Sequence, residues 1–212
     1  MNIAFFDVDE TLIECKSMFV FAEFYFDTFS NDTLRFDAMM AQIHRQVENG
    51  ATREDINRFY YRCFSGHAQQ VVRTAAQELY DSRPFPRRAN VVERLYRHQQ
   101  AGDEIVFVSG AMVDILHPLM TAFGVRTAYC STPEVSNGQY TGELSRQAIG
   151  AGKIAAVSEY CAALDVPPER CYAYGDHISD VALLSSVGHG VAVNPDAAMT
   201  TLAASNGWEI LN

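Results

Sequence analysis

The run Ile3-Ala4-Phe5-Phe6 leads directly into Asp7-Val8-Asp9-Glu10-Thr11, and this stretch carries the strongest structural signal in the 212-residue chain. A short apolar run that ends in acids predicts a buried strand terminating near Asp7. Two carboxylates at such a strand end are unfavourable, because like charges repel and burial disfavours both ionised forms. A cation between them relieves this cost. The pair can then supply a nucleophile and an acid/base.

Length and composition predict an ordinary globular chain. A sequence of 212 residues suffices for one domain plus an insertion, and 48% hydrophobic with 20% charged residues is typical of soluble globular proteins. The formal net charge of −10 makes nucleic acid or an anionic membrane an unexpected partner. An anionic substrate must therefore be attracted by local positive groups and a metal.

The cysteines and the N-terminus favour a cytoplasmic location. Five cysteines at wide spacing, without a Cys-x-x-Cys pair, predict reduced thiols and no zinc site. Acids by position 7 and the lack of a basic region predict no signal peptide. No apolar run reaches the roughly 18–20 residues that span a bilayer. A monomer or a homodimer is equally compatible with the sequence.

Four helices are predicted between the first strand and residue 82. Ser17 could cap an aromatic-rich first helix, and Thr52-x-x-Asp55 resembles a capping box for the third. The second and fourth are expected at about 33–49 and 67–80. Four helices exceed what one strand-to-strand crossover needs. We therefore expect a helical cap domain at residues 14–82 and a catalytic core at residues 1–13 and 83–212.

The rest of the chain alternates strands with helices. Asn137-Gly138 is a hairpin signal. The expected strands follow the first one at 104–108, 127–131, 171–174, 191–193 and 208–211. This order predicts an α/β fold with a Rossmann-like parallel sheet between two helical layers. Ligands in such folds bind beyond the carboxyl ends of the strands, where the polar motifs of this sequence lie.

Two further motifs follow predicted strands. Ser109-Gly110 closes an apolar strand and is expected to open a helix, where a hydroxyl and free amides can cradle a phosphate or simply cap the helix. In the segment from Gly175 to Asp180, Asp176 and Asp180 share one side if a helical turn begins between them. The alternative is a polar turn capped by two acids.

These motifs together resemble the haloacid dehalogenase superfamily of phosphohydrolases, in its phosphoserine phosphatase-like branch. The resemblance covers the Asp-x-Asp-x-Thr motif at 7–11, Ser109-Gly110, Lys153 after Gly150-Ala151-Gly152, and the motif at 175–180. The helical insertion after the first strand and the tail at 187–195 have the layout of that branch. The resemblance implies a core with an inserted cap and a phosphatase that requires Mg²⁺.

The resemblance also implies roles for individual residues. Asp7 would attack phosphorus and become an aspartyl-phosphate, and Asp9 would act as general acid/base. Thr11 would hold the turn beside the phosphate, and Ser109, Gly110 and Lys153 would bind the phosphate. Asp7, the Asp9 carbonyl and Asp176 would bind Mg²⁺. Asp180 would lie behind Asp176 and orient a metal-bound water or Lys153. A solvated surface position is the alternative for a lysine such as Lys153.

The candidate contacts for the rest of the substrate lie outside most of these motifs. Lys16 lies near the place where phosphoserine phosphatases hold the substrate amine with a glutamate, which disfavours phosphoserine and suits a second anionic or hydroxylated group. Arg58, with Arg53 and Arg62 on the same helix, is a candidate contact, although solvated helix faces are the alternative. His177 is a further candidate without a visible partner.

The sequence as a whole predicts a Mg²⁺-dependent phosphatase that hydrolyses a small phosphorylated metabolite. Transfer of the phosphoryl group to an alcohol acceptor is one alternative. A catalytically silent module that binds a phosphometabolite is another, although the intact Asp7 and Asp9 argue against it.

Overall fold

A seven-stranded sheet forms the centre of the computed structural model, which describes residues 1–30 and 32–212. Its strand order is β4-β3-β2-β1-β5-β6-β7, and every pairing is parallel except β3 with β4. The strands are β1 Ile3–Asp7, β2 Glu104–Met112, β3 Thr127–Ser136, β4 Gln139–Arg146, β5 Tyr172–Gly175, β6 His189–Val193 and β7 Glu209–Leu211. The predicted α/β fold with a mostly parallel sheet is confirmed.

Strand β1 is apolar from Ile3 to Phe6 because it is the central strand. It pairs with β2 on one side and β5 on the other, and residues Ile3 to Phe6 are fully buried. A parallel strand covered on both faces requires such a continuous apolar run. The parallel pairing also brings the carboxyl ends of β1, β2 and β5 to one edge of the sheet, where Asp7, Ser109 and Asp176 lie.

The helices connect and cover the strands. Within the described residues they are α1 Ser17–Thr28, α2 Thr33–Glu48, α3 Arg53–Arg62, α4 Gln69–Ser82, α5 Ala89–Gln100, α6 Val113–Phe123, α7 Ile154–Leu164, α8 Val181–Leu184 and α9 Ala197–Asn206. Helices α1 to α4 lie between β1 and β2 in the chain. Their buried side chains belong to the same apolar cluster as side chains of β1 and α6.

Two of the predicted helix starts have different outcomes. The Thr52–Asp55 capping box of α3 is confirmed, since each residue's side chain accepts a hydrogen bond from the other's backbone N–H. The predicted capping role of Ser17 is wrong. Ser17 is the first residue of α1, Lys16 precedes it as the cap residue, and the buried Ser17 Oγ has no hydrogen-bond partner among the described residues.

Strand β2 extends further than the sequence predicts. It continues through Ser109 and Gly110 to Met112, and α6 begins only at Val113. Ala111 and Met112 are fully buried, and Met112 pairs with Ser131 of β3 after a shift in register. The expectation that Ser109-Gly110 opens a helix is therefore wrong, because burial of these apolar residues keeps the segment extended.

The last quarter of the chain contains one helix that the sequence analysis omits. Helix α9 begins after Asp196, whose carboxylate accepts a hydrogen bond of 2.7 Å from the Met199 backbone, and ends at Gly207 in the left-handed region. The predicted hairpin is confirmed, since Asn137 and Gly138 both have positive φ between β3 and β4. Across the described residues, we find no helix with both the length and the apolar character that a membrane crossing demands.

Candidate active site

Three acids converge at the edge of the sheet formed by β1 and β5. One carboxylate oxygen each from Asp7, Asp176 and Asp180 lie within 4.8 Å of one another. Thr11 stands between two of them, because its Oγ1 is 2.9 Å from Asp7 Oδ2 and 2.8 Å from Asp176 Oδ1. A hydroxyl has one proton, so Thr11 donates to one of these carboxylates at a time.

Lys153 provides the positive charge of this cluster. Its Nζ lies 2.5 Å from Asp7 Oδ1 and 2.6 Å from Asp180 Oδ1, and the side chain is buried. Burial acts to lower the pKa of Lys153, but the two carboxylates outweigh it and raise the pKa above its usual value. Lys153 is therefore a fixed cation rather than the solvated lysine of the alternative interpretation.

One ammonium does not balance three carboxylates. Burial raises the pKa of Asp7 well above its usual value, Lys153 opposes that shift, and the neighbouring Asp180 and Asp176 add to it. Burial and the negative charge of Asp180 likewise raise the pKa of Asp176. Carboxylate oxygens held this closely are the donor set that a hard cation such as Mg²⁺ prefers, and a cation would relieve the repulsion. The residues present therefore fit a divalent metal.

Asp9 lies beside this cluster and differs from it in chemistry. Burial raises the pKa of Asp9 to about 6, although its contact with Ser17 opposes the shift. The Ser17 backbone N–H at the start of α1 donates to Asp9 Oδ1 at 3.1 Å. A carboxyl group with a pKa near neutrality can both give and take a proton, which suits general acid/base chemistry.

Ser109 and Gly110 approach the same place from β2. Ser109 is buried, and its Oγ accepts a hydrogen bond of 3.1 Å from the Ala111 backbone. The Gly110 carbonyl oxygen accepts two hydrogen bonds from α3, one from Asn57 Nδ2 and one from the Tyr61 hydroxyl, each at 2.9 Å. Helix α3 is therefore fastened to the strand end that carries Ser109.

A cavity of about 370 Å³ opens above these groups. Asp7, Asp9, Ser109, Gly110, Lys153 and Asp180 line it. Asp176, the third acid of the cluster, and Thr11, which contacts Asp7 and Asp176, are not part of the lining. The structure thus brings together all the residues for which the sequence predicts a part in catalysis or in metal and phosphate binding. Their individual roles stay predictions.

Of the three predicted substrate contacts, one lines the cavity and two do not. Lys16 lines the cavity and pairs with Glu10, the two charged groups lying 3.4 Å apart. Arg58 and His177 are not part of the lining. Arg58 instead contacts Asp55 and Gln147, and His177 Nδ1 accepts a hydrogen bond from the Ser179 backbone. Both assignments remain untested predictions that the cavity does not support.

Asn57 is the main cavity residue that sequence reasoning misses. Asn57 is buried and lines the cavity. Its Nδ2 donates to the Gly110 carbonyl, and its Oδ1 accepts hydrogen bonds from Gln147 Nε2 at 3.2 Å and Ser131 Oγ at 3.3 Å. A signal was present, because Asn57 and Tyr61 lie four residues apart on one face of α3. The partners of that face could not be identified without the fold.

Comparison with known proteins finds similarity to hydrolases and phosphatases. A family model for haloacid dehalogenase-like hydrolases matches residues 4–185. A probable phosphatase from Mycobacterium tuberculosis is 30% identical over 216 residues, which cover 99% of this chain and 74% of the relative. A histidinol-phosphatase from Neisseria meningitidis serogroup C is 27% identical over 218 residues, covering 100% and 98% of the two chains.

Solved structures share the fold. A protein of unknown function from Bordetella pertussis Tohama I superposes with a TM-score of 0.88 at 24% identity, with 100% of this chain and 98% of the other covered. A phospho-aspartyl intermediate analogue of phosphoserine phosphatase superposes with a TM-score of 0.68 at 15% identity, covering 99% and 92%. Because the family model spans most of the sequence, the chain belongs to the haloacid dehalogenase-like hydrolases.

Proposed function

We propose that this hydrolase is a Mg²⁺-dependent phosphatase that cleaves a small phosphate monoester through an aspartyl-phosphate on Asp7. The observation that carries the proposal is the position of Asp7 at the cavity, where Lys153 and Thr11 contact its two oxygens and Asp9 lies nearby. Relatives named as a probable phosphatase and a histidinol-phosphatase support the same reaction class.

The reaction would proceed in two displacements. A carboxylate oxygen of Asp7 attacks phosphorus, the bond to the ester oxygen breaks, and Asp9 protonates the departing alkoxide. Asp9, now ionised, takes a proton from water, and that water attacks the phosphorus of the aspartyl-phosphate. Inorganic phosphate leaves and the Asp7 carboxylate is restored. The raised pKa of Asp9, about 6, suits both proton transfers.

The remaining residues would hold the phosphate and the metal. Lys153, Ser109 and the backbone near Gly110 would bind the phosphate oxygens, with Thr11 holding the turn beside them. Asp7, the Asp9 carbonyl and Asp176 would bind Mg²⁺, with Asp180 supporting them through Lys153. Mg²⁺ would neutralise charge on the phosphate and the acids. Residues 14–82 would form a cap that closes over the core at 1–13 and 83–212 and excludes water.

The proposal is tested with p-nitrophenyl phosphate and with the trapped intermediate. We expect hydrolysis that requires Mg²⁺ and disappears in Asp7→Asn, whereas Asp37→Asn, a change at an exposed acid of α2, retains it. Isotopically labelled phosphate should appear on Asp7 after acid quenching. Label on another residue, or full activity of Asp7→Asn, would refute the assigned nucleophile. Absence of turnover with any divalent ion would favour a binding protein.

The same assay separates hydrolysis from transfer. Release of p-nitrophenol should match release of inorganic phosphate, with or without added alcohols. Release of p-nitrophenol that rises with glycerol, without an equal rise in phosphate, would instead identify a phosphotransferase.

A further inference from the structure

The cavity above Asp7 has two chemically different sides. The side formed by the strand ends is polar and carries the reacting groups described above. The side formed by α1, α2, α3 and the loop before α3 is mainly apolar, with Met18, Phe19, Ile43, Val47, Ala51 and Ile56 in its lining. A phosphate group needs only the polar side, so the apolar side is available for the alcohol part of the ester.

Part of the apolar side is open to a ligand at Val47, although Ile43 in the same lining is buried. Val47 is 56% exposed although it lines a cavity with other apolar side chains. An exposed apolar patch inside a concave site gains free energy when an apolar ligand group covers it. A small polar alcohol such as glycerol would leave this surface in water. The alcohol part of the substrate should therefore contain an apolar body.

The charged side chains that line the cavity outside the reaction centre, Glu10, Lys16 and Arg53, favour an anion. Glu10 and Lys16 form an ion pair, so their opposite charges largely compensate each other. Arg53, in the first turn of α3, is exposed, and its Nη1 donates to Ser179 Oγ at 3.2 Å. Arg53 has no carboxylate within ion-pair distance in residues 1–30 and 32–212. Its guanidinium keeps free donors toward a ligand.

A substrate ammonium lacks a comparable partner. The acids in the lining are Asp7, Asp9, Glu10 and Asp180, as far as the described residues go. Three of them belong to the proposed reaction centre and Glu10 is paired with Lys16. An amine-bearing alcohol would place its positive charge near Arg53, which has no carboxylate partner in residues 1–30 and 32–212, and the two like charges would repel.

We propose that the substrate is the phosphate monoester of an alcohol with an apolar body and a carboxylate remote from the ester, and that Arg53 binds this carboxylate. This inference rests on the proposed phosphatase function. Arginine suits the task because its planar guanidinium can donate two parallel hydrogen bonds to a carboxylate. Histidinol, which has an amine and no carboxylate, and serine, which has an amine and no apolar body, are disfavoured, although relatives of this chain are named for their phosphate esters.

The test uses aryl phosphates that differ only in the remote group: 4-carboxyphenyl phosphate, phenyl phosphate and 4-(aminomethyl)phenyl phosphate. The wild-type enzyme should have a KM about tenfold lower for the carboxylate than for the amine, the size expected for one charged hydrogen-bonded contact. Phosphoglycolate, which has a carboxylate without an apolar body, should have a higher KM than 4-carboxyphenyl phosphate.

Arg53→Gln should remove most of the preference for the carboxylate over the amine. The matched control is Arg62→Gln on the same helix, because Arg62 faces Glu143 at 3.7 Å, is exposed, and lies outside the cavity lining. Arg62→Gln should leave the preference unchanged. An unchanged preference in Arg53→Gln would overturn the assignment of Arg53.

The failure of this inference is distinguishable from the failure of the proposed function. Hydrolysis of the aryl phosphates with equal KM values, or with a preference for the amine, would overturn the substrate class while the phosphatase activity stands. A KM for phosphoglycolate as low as that for 4-carboxyphenyl phosphate would overturn the apolar body. Failure to hydrolyse any phosphate ester, with or without Mg²⁺, would overturn the function itself.

Discussion

Asn57 Nδ2 of α3 donates a hydrogen bond of 2.9 Å to the carbonyl oxygen of Gly110 at the end of β2. The two residues are 53 positions apart in the chain, one in the inserted helices and one beside the buried Ser109. The contact therefore links the helix that forms part of the cavity wall to the strand end that is proposed to bind phosphate. Positions on either side of this contact should affect both stability and activity.

Asn57→Ala should destabilise the fold by about 1–3 kcal/mol, because it leaves the buried Ser131 hydroxyl and the half-buried polar groups of Gly110 and Gln147 without one of their partners. Urea denaturation monitored by circular dichroism measures this change. Gln77→Ala, at an exposed position of α4, should change stability by no more than about 0.5 kcal/mol. Equal effects of the two substitutions would show that the Asn57 network contributes little.

Lys153→Met should destabilise the metal-free protein by about 3–5 kcal/mol, since it leaves Asp7 and Asp180 buried without their cation. Adding Asp180→Asn to Lys153→Met should restore part of that loss, with a coupling of about 0.5–3 kcal/mol. A double-mutant cycle of unfolding free energies in the presence of a chelator measures it. Strict additivity would contradict the pairing.

The chain contains only one other lysine, Lys16, and it provides a natural control. Its partner Glu10 is 3.4 Å away, and both side chains are more than two-fifths exposed. Lys16→Met should therefore change stability by less than about 1 kcal/mol, because water screens exposed ion pairs.

Gly175→Ala should displace Asp180, because an added Cβ would lie 2.6 Å from the Cβ of Asp180. We expect the hydrolysis of p-nitrophenyl phosphate to fall at least about tenfold, as small misplacements near reacting groups have large effects. Gly207→Ala is the control for general glycine strain. It has a φ of 70° and open space around its Cβ, so it should lose about 1 kcal/mol of stability while retaining activity.

Mg²⁺ should stabilise the wild-type protein by mass action and therefore raise its melting temperature. At a Mg²⁺ concentration one hundred times the Kd, the free energy of unfolding should increase by about 2.7 kcal/mol. Asp176→Asn should reduce this response, because it removes one of the three carboxylates of the acid cluster. Thermal denaturation across a Mg²⁺ titration measures the effect, with Asp37→Asn as the exposed control. An undiminished response in Asp176→Asn would place the metal elsewhere.

Asp103 should stabilise the fold in a pH-dependent manner. Burial acts to raise the pKa of Asp103, but hydrogen bonds from His98 and the Asn2 backbone outweigh it and hold the pKa below its usual 3.8. A lowered carboxyl pKa favours folding above 3.8, and this contribution is lost as the pH falls through the lowered value. The stability gap between wild type and Asp103→Asn should therefore be largest near neutral pH and should shrink in acid.

Chemical denaturation at a series of pH values measures that gap. Asp27→Asn, at an exposed position of α1, should show no comparable pH-dependent difference from the wild type. A gap that grows as the pH falls below 4 would contradict the sign derived for Asp103.

Local patterns were informative where an element is stabilised within its own segment. The capping box at Thr52 and Asp55 and the turn at Asn137-Gly138 depend on hydrogen bonds and dihedral angles of adjacent residues, and both predictions are confirmed. The predictions for Ser109-Gly110 and Ser17 were wrong because burial against other segments decided their conformation. Helix α9 was missed because its Ala- and Thr-rich sequence lacks a distinct apolar face.

The sequence alone determined the order of strands and helices apart from α9, and it placed acids at the ends of the first and fifth strands, because periodicity and the cost of buried charge are local properties. Only the tertiary structure decided that Lys153 meets Asp7 across 146 residues, that Asn57 holds Gly110, and that Arg53 rather than Arg58 lines the cavity. Such contacts depend on how whole helices pack against the sheet, and neighbours along the chain carry no information about that packing.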